Sequence, residues 1–484
     1  MRIKKVFQLS LFSVFITLHS LAQTAIENKV WTLEQCIDYA LKNNISVKQS
    51  ELNTELSQIN LTQSEANLLP NLNGNFSHNY NFGRTVDRFT NQFATQQVLS
   101  QNLYLSSDFN LFSGLQNVNT IKENKFNYLA SKYDVDKMKN DISLSIASAY
   151  LQILYSIEGL DNAKNQMGIT SAQVDRTKKL VEAGAAAKGT LLDIQSQLAT
   201  EELNVTSAQN NLDISYLSLA QLLNMPSAEG FTIVKPEIAI ANEALLTATP
   251  SQIYSTAISN LPEIKSADYK VKSAEKAMDV ALGGLSPRLT FSASYGTGYS
   301  GASKQLASTP TITGAEPNGD FIYNGTTPVP VYTPSYSNLE YETIPWADQY
   351  KNNVNKSFGL NLSVPIFNRF QVKSSIDKAR IQKLNADYTV ESTKLQIQKN
   401  IQQAYADANA ALKKYASTQK ALEAMQESYK YTEQKFNVGM VNTTDYNTAK
   451  NKLTTTQSQL LQAKCEFVFK TKVLDFYQGK PLKF

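Results

Sequence analysis

The side chains able to do chemistry are few in this 484-residue sequence, and they stand far apart. Beyond residue 22 there is one histidine, His78, and two cysteines, Cys36 and Cys465. No Ser-His-Asp set, metal-ligating cluster, paired-acid arrangement or glycine-rich phosphate loop is legible. Gly296 and Gly298 fall in a strand and loop, not before a helix. An enzyme is therefore not expected, nor a cofactor, nor a resident metal. What remains is turn and charge chemistry at two places. Gly184 and Gly439 each end a long helical run, as left-handed caps of tight turns do. Ala185, Ala186 and Ala187 beside the first, and Met440 and Val441 beside the second, make tips unusually apolar for water, which favours a docking surface. Asp445 follows Asn442 by three, the place of a first-turn acid favoured by the helix dipole.

The elements that carry these tips are of two kinds. In the stretch 71–82, Leu72, Gly74, Phe76, His78, Tyr80 and Phe82 alternate with Asn71, Asn73, Asn75, Ser77, Asn79 and Asn81. A period of two with one polar face predicts a strand between two solvents. The same alternation recurs at about 102–113, 288–298 and 357–367. Each segment has about 9–11 residues, the length of a tilted transmembrane strand. Four strands of an outer-membrane β-barrel per chain are expected, with His78 and the strand aromatics as interface residues. Helices are predicted over 33–43, opened by Thr32 with Gln35 reaching back, and over about 46–68, 115–182 and 190–223. Leu191, Leu198, Val205, Leu212 and Leu219, and again Tyr446, Leu453, Leu460, Phe467 and Leu474, form seams spaced by seven, the pattern of left-handed coiled-coil packing.

The pattern is written twice. At one constant shift Ala40 falls on Ala257, Asn43 on Asn260 and Pro70 on Pro287. At a second, larger shift Leu105 falls on Leu360, Tyr150 on Tyr405, Gly184 on Gly439 and Leu219 on Leu474. Two tandem repeats follow, 23–249 with its tip at 184–189 and 250–484 with its tip at 438–442. The change of shift places an insertion in the second repeat, a long loop at 299–356 made acidic by Glu316, Asp320, Glu340, Glu342 and Asp348.

Residues 1–22 read as a secretory signal: Arg2, Lys4 and Lys5, an apolar core at 6–18, then Ser20-Leu21-Ala22. No cysteine follows that site, so no lipid anchor is expected there. In an oxidising compartment Cys36 and Cys465 are either a pair or two buried small apolar residues, the second being favoured. A formal charge of +4 with 18% charged residues is too mild to suggest nucleic acid. Mean hydropathy is −0.31, as a barrel with half of each strand polar allows.

Four strands cannot close a barrel, and open edges in lipid leave backbone groups unpaired. Two copies give eight strands with a filled interior, whereas three give twelve and a lumen, and cyclic symmetry closes the ring. Ala40-Leu41-Lys42-Asn43-Asn44, Leu69-Pro70, Phe436-Asn437-Val438-Gly439 and Asp445, in that order behind a signal peptide, resemble the TolC family of outer membrane efflux proteins over essentially the whole mature chain. The resemblance implies a mixed fold, a membrane β-barrel on an α-helical barrel, as a homotrimer with twelve strands and a twelve-helix periplasmic tunnel. Its partners would be a periplasmic adaptor, an inner-membrane pump and outer membrane lipid. It implies adaptor docking at the tips Gly184, Ala185, Gly439, Met440 and Val441. It also implies a gate at Asp445, with Thr448 where a second aspartate is expected and Asp193 in the Thr448 place of the first repeat. The rival reading, a secreted trimeric coiled-coil structural or adhesive protein without a pore, leaves the four amphipathic strands unexplained. A third, an enzyme grafted on the long loop, has no constellation to speak for it.

Overall fold

Thr32 opens the first helix as its chemistry dictates. Its hydroxyl accepts from the Gln35 amide, and the Gln35 side chain accepts from Thr32 N at 3.1 Å, so two otherwise orphaned donors are satisfied. Thr249 and Gln252 repeat this box in the second half. The computed structural model describes residues 30–86, 91, 93–94, 97–228, 230–235, 248–337 and 340–480; the signal segment 1–22 lies outside them. The helices among the described residues are α1 (Leu33–Asn43), α2 (Ile45–Ala66), α3 (Gln116–Glu182), α4 (Lys188–Leu222), α5 (Pro250–Asn260), α6 (Pro262–Gly283), α7 (Trp346–Asn352), α8 (Gln371–Asn437) and α9 (Thr443–Tyr477). Leaving α7 aside, they come in two sets with the same lengths of 11, 22, 67 and 35 residues. A helix of that third length is a rod of about 100 Å.

The described strands are β1 (Val30–Trp31), β2 (Asn73–Asn81), β3 (Thr85–Val86), β4 (Phe93–Ala94), β5 (Val98–Ser113), β6 (Thr232–Ile233), β7 (Arg288–Ser300), β8 (Lys304–Leu306), β9 (Thr311–Asn324), β10 (Thr327–Ser337), β11 (Tyr341–Thr343) and β12 (Asn355–Ser363). The chain divides into two compact units, one within residues 1–59, 125–273 and 383–484, the other within 60–124 and 274–382.

In the first unit the helices pack around two apolar cores. One joins Leu33, Cys36 and Ala40 to Ile146, Tyr150 and Ile153 of α3 and Leu219 and Leu223 at the end of α4. The other joins Ile253, Ala257 and Leu261 to Ile397, Ile401 and Ala408 of α8 and Leu474 of α9. Tyr150 donates to the Val234 carbonyl at 2.5 Å, tying α3 to the parallel pair β1–β6. Cys36 and Cys465 are both free and both belong to the first core. Every position of the two seams is buried or half-buried, whereas Leu192, Leu203 and Leu217 beside the first seam are exposed.

In the second unit an antiparallel sheet runs β12-β7-β5-β2. Its register sorts the faces: Ser77 pairs with Asn102 and Ser294 with Ser357 on the polar one, Phe76 with Leu103 and Phe291 with Leu360 on the apolar one. The fourth strand ends at Ser363 rather than near residue 367; Pro365 has no amide to donate to a ladder. The stretch 299–356 is not the plain loop its composition suggests. β9 and β10 form a long ribbon, β8 and β11 a short one, and α7 follows. The long ribbon accommodates Pro328, Pro330 and Pro334 with a register shift after Pro330. Strand turns to helix through two left-handed corners at matching places, Gly114 and Leu115 before α3, Arg369 and Phe370 before α8.

Candidate gate and docking tips

Both helical tips are built by the same backbone device. Gly184 has φ +72°, and Ala185 N donates to Leu180 O at 2.8 Å. Gly439 has φ +76°, and Met440 N donates to Lys435 O at 2.8 Å. Each is a Schellman closure, which needs a left-handed residue after the last turn and so favours glycine.

The returning helices start differently. Ala187 caps α4 without a side-chain hydrogen bond. Asn442 caps α9: its Oδ1 accepts from Asp445 N at 2.9 Å, and its Nδ2 donates to Asp445 Oδ2 at 2.9 Å. The Asp445 carboxylate is thereby held beside the helix start, where the dipole favours it. Thr448 lies one turn further on α9 and is exposed, as is Asp445. Asp193 is exposed in the first turns of α4.

The tips also differ in what they offer a partner. Gly184 and Ala185 are exposed in an all-alanine surround, while Val438 and Met440 stand 70% and 77% exposed around Gly439, with Val441 half-buried. Behind the second tip is an aromatic clamp that sequence reasoning missed. Phe436 and Tyr446 stack with centroids 4.4 Å apart, the Tyr446 and Tyr429 hydroxyls lie 2.7 Å apart, and Tyr429 donates to Glu433 at 3.1 Å. Desolvation, then the Tyr446 and Glu433 hydrogen bonds, hold the Tyr429 hydroxyl protonated well above the usual tyrosine range. The signal was Tyr429 seven residues before Phe436, one stripe of the same helix. Val174, Val181 and Leu191 occupy the matching places at the first tip. The clamp is thus built at one tip only.

The described residues thus comprise an amphipathic four-stranded sheet and two sets of helices of 67 and 35 residues. The chain belongs to the outer membrane efflux protein family, whose pattern matches residues 36–225 and 253–468. Among relatives, the probable outer membrane lipoprotein SilC of Salmonella typhimurium is 24% identical over 283 residues, 57% of this chain and 57% of that protein's length. The outer membrane protein TolC of Escherichia coli K12 is 22% identical over 449 residues, covering 90% of this chain and 80% of that one. In fold, the Campylobacter jejuni CmeC outer membrane channel superposes with a TM-score of 0.71 at 15% identity, over 92% of this chain and 84% of that one. VceC from Vibrio cholerae superposes at 0.69 with 14% identity, over 93% and 97%.

Proposed function

We propose that this chain is the exit duct of a tripartite efflux or type I secretion system. Three copies form a twelve-stranded barrel in the outer membrane and a helical tunnel in the periplasm, and conduct substrates passively from an inner-membrane pump and its periplasmic adaptor to the exterior. The observation that carries the reading is the four-stranded sheet with β2 and β12 at its edges and an exposed apolar face bearing Phe76, Phe358, Leu360 and Leu362. In lipid each unpaired backbone group costs several kcal/mol, so edges of this kind must meet neighbouring copies. The paired helix lengths support two tandem repeats, 23–249 and 250–484, so three chains supply six long helical hairpins, twelve helices in all. The tips Gly184–Ala185 and Gly439–Met440–Val441 are where the adaptor docks. Asp445, with Asp193 in support and Thr448 in the position of a weaker constriction, forms a ring near the axis that attracts cations and repels itself. The chain performs no catalysis; energy and substrate choice come from the pump. Planar-bilayer recording of the purified protein tests this: discrete ion-conducting steps are expected, and a heat-resistant but non-conducting particle would favour the adhesive coiled-coil reading instead.

A further inference from the structure

Strand β12 begins at Asn355, opposite Gly296, so residues 297–300 of β7 extend beyond it. Helix α7 occupies that side. The Gln349 side chain, 2% exposed, acts as a strand residue would: its Oε1 accepts from Ser300 N at 2.9 Å and its Nε2 donates to Ser300 O at 3.0 Å. Asn353 adds a bond to Gly298 O at 2.9 Å, and Thr297 donates to Tyr350 O at 2.6 Å. Gln349, Tyr350 and the capping Asn353 thus tie the helix and its end to β7 by four hydrogen bonds.

One side of α7 reaches the apolar face. Tyr350 donates to Gln101 Oε1 at 3.0 Å, Gln101 meets His78 Nδ1 at 2.8 Å, and His78 stands edge-on to Tyr80 at 5.1 Å. By register Gln101, His78 and Tyr80 share that face with Phe76 and Leu103. Trp346 sits one turn before Tyr350, packs T-shaped against it at 6.1 Å, and is 68% exposed. Lys356, on the same face, lies over the Tyr295 ring at 5.9 Å. At the opposite end of the strands, Phe367 and Phe370 pack T-shaped at 5.5 Å with Lys373 over Phe370 at 6.0 Å. Between these ends the face carries Leu103, Leu105, Phe358, Leu360 and Leu362. Indole and phenol rings with a wet edge, and lysines that extend past an apolar stem, are the chemistry of a membrane–water boundary.

We infer that α7 is a membrane-surface anchor, with Trp346 and Tyr350 seated in the headgroup layer of the outer leaflet to set the depth of the sheet. The occupant is lipid: the patch adjoins the apolar face across the Gln101–His78 pair and ends in ring edges and Lys356. This rests on reading the sheet as part of a membrane barrel.

The chain has two tryptophans, Trp31 and Trp346. The test reconstitutes the full protein and Trp346→Phe into vesicles brominated near the carbonyls or deep in the acyl chains. The emission difference between the two proteins belongs to Trp346; Trp31→Phe, which leaves Trp346 as sole indole, reads it directly. Shallow bromines are expected to quench Trp346 by about twofold or more, deep bromines less, and aqueous iodide little. A protein that floats with the vesicles while Trp346 ignores both lipids and responds to iodide overturns the anchor alone. A protein that does not float overturns the membrane reading and the anchor with it.

Discussion

Phe436 in the last turn of α8 and Tyr446 in the first turns of α9 stack at 4.4 Å, closing the second tip from behind. An aromatic pair of this kind contributes about 0.5–1.5 kcal/mol beyond its buried area. Tyr446→Ala removes that stack and the bond to the Tyr429 hydroxyl. Amide exchange across 438–445 should rise severalfold while the first tip is unchanged, and adaptor affinity should fall. Unaltered exchange there would mean that the turn is held by its glycine and Asn442 cap alone.

Asp445 is a surface acid in the single chain, and in the trimer proposed above three copies would form a ring of charge. Asp445→Ala is expected to lower the cation-to-anion permeability ratio by about twofold or more, and Thr448→Asp to raise it. Reversal potentials in a salt gradient measure both. If neither variant moves them, the constriction lies elsewhere on the tunnel wall.

Gly114 and Gly184 are both left-handed, but only Gly114 is crowded: a Cβ there would overlap the Gly283 carbonyl oxygen, whereas at Gly184 it meets open space. Gly184→Ala should lose only the about 1–2 kcal/mol of a left-handed alanine. Gly114→Ala should lose more, because the strand-to-helix corner must also open. Thermal unfolding of the two variants orders them; equal midpoints would remove the packing argument.

Burial pushes the Cys36 thiol from its ordinary 9.0 up to about 12, with Glu34 adding to the shift. The folded state therefore holds this proton more tightly than the unfolded state. The stability it contributes is complete below about pH 9 and is lost as pH rises toward 12. Iodoacetamide at pH 8 should label Cys36 only after denaturation, and mass spectrometry of the folded protein should show it unmodified.

The features legible in the sequence are those whose cause is local. The Thr32–Gln35 box, the Asn442–Asp445 cap and the alternation from Asn73 to Asn81 are each settled within a few residues. What was hidden depends on distant partners. The stretch 299–356 reads as a loop, yet β9 and β10 pair as a ribbon that accommodates Pro328, Pro330 and Pro334 with a register shift after Pro330. Gly114 against Gly283 and Gln349 against Ser300 join residues whose proximity no spacing rule reveals. At the candidate site the glycines and Asp445 stood out by type, whereas the Phe436–Tyr446 clamp is visible only once the hairpin has folded.

Native mass spectrometry of the detergent-solubilised protein tests the central claim most directly, since a four-stranded sheet with two open edges needs neighbours. Particles of three chains, dissociating only with loss of strand signal, are predicted. A stable single-chain particle whose Asn73–Asn81 segment is protected from exchange would contradict the account.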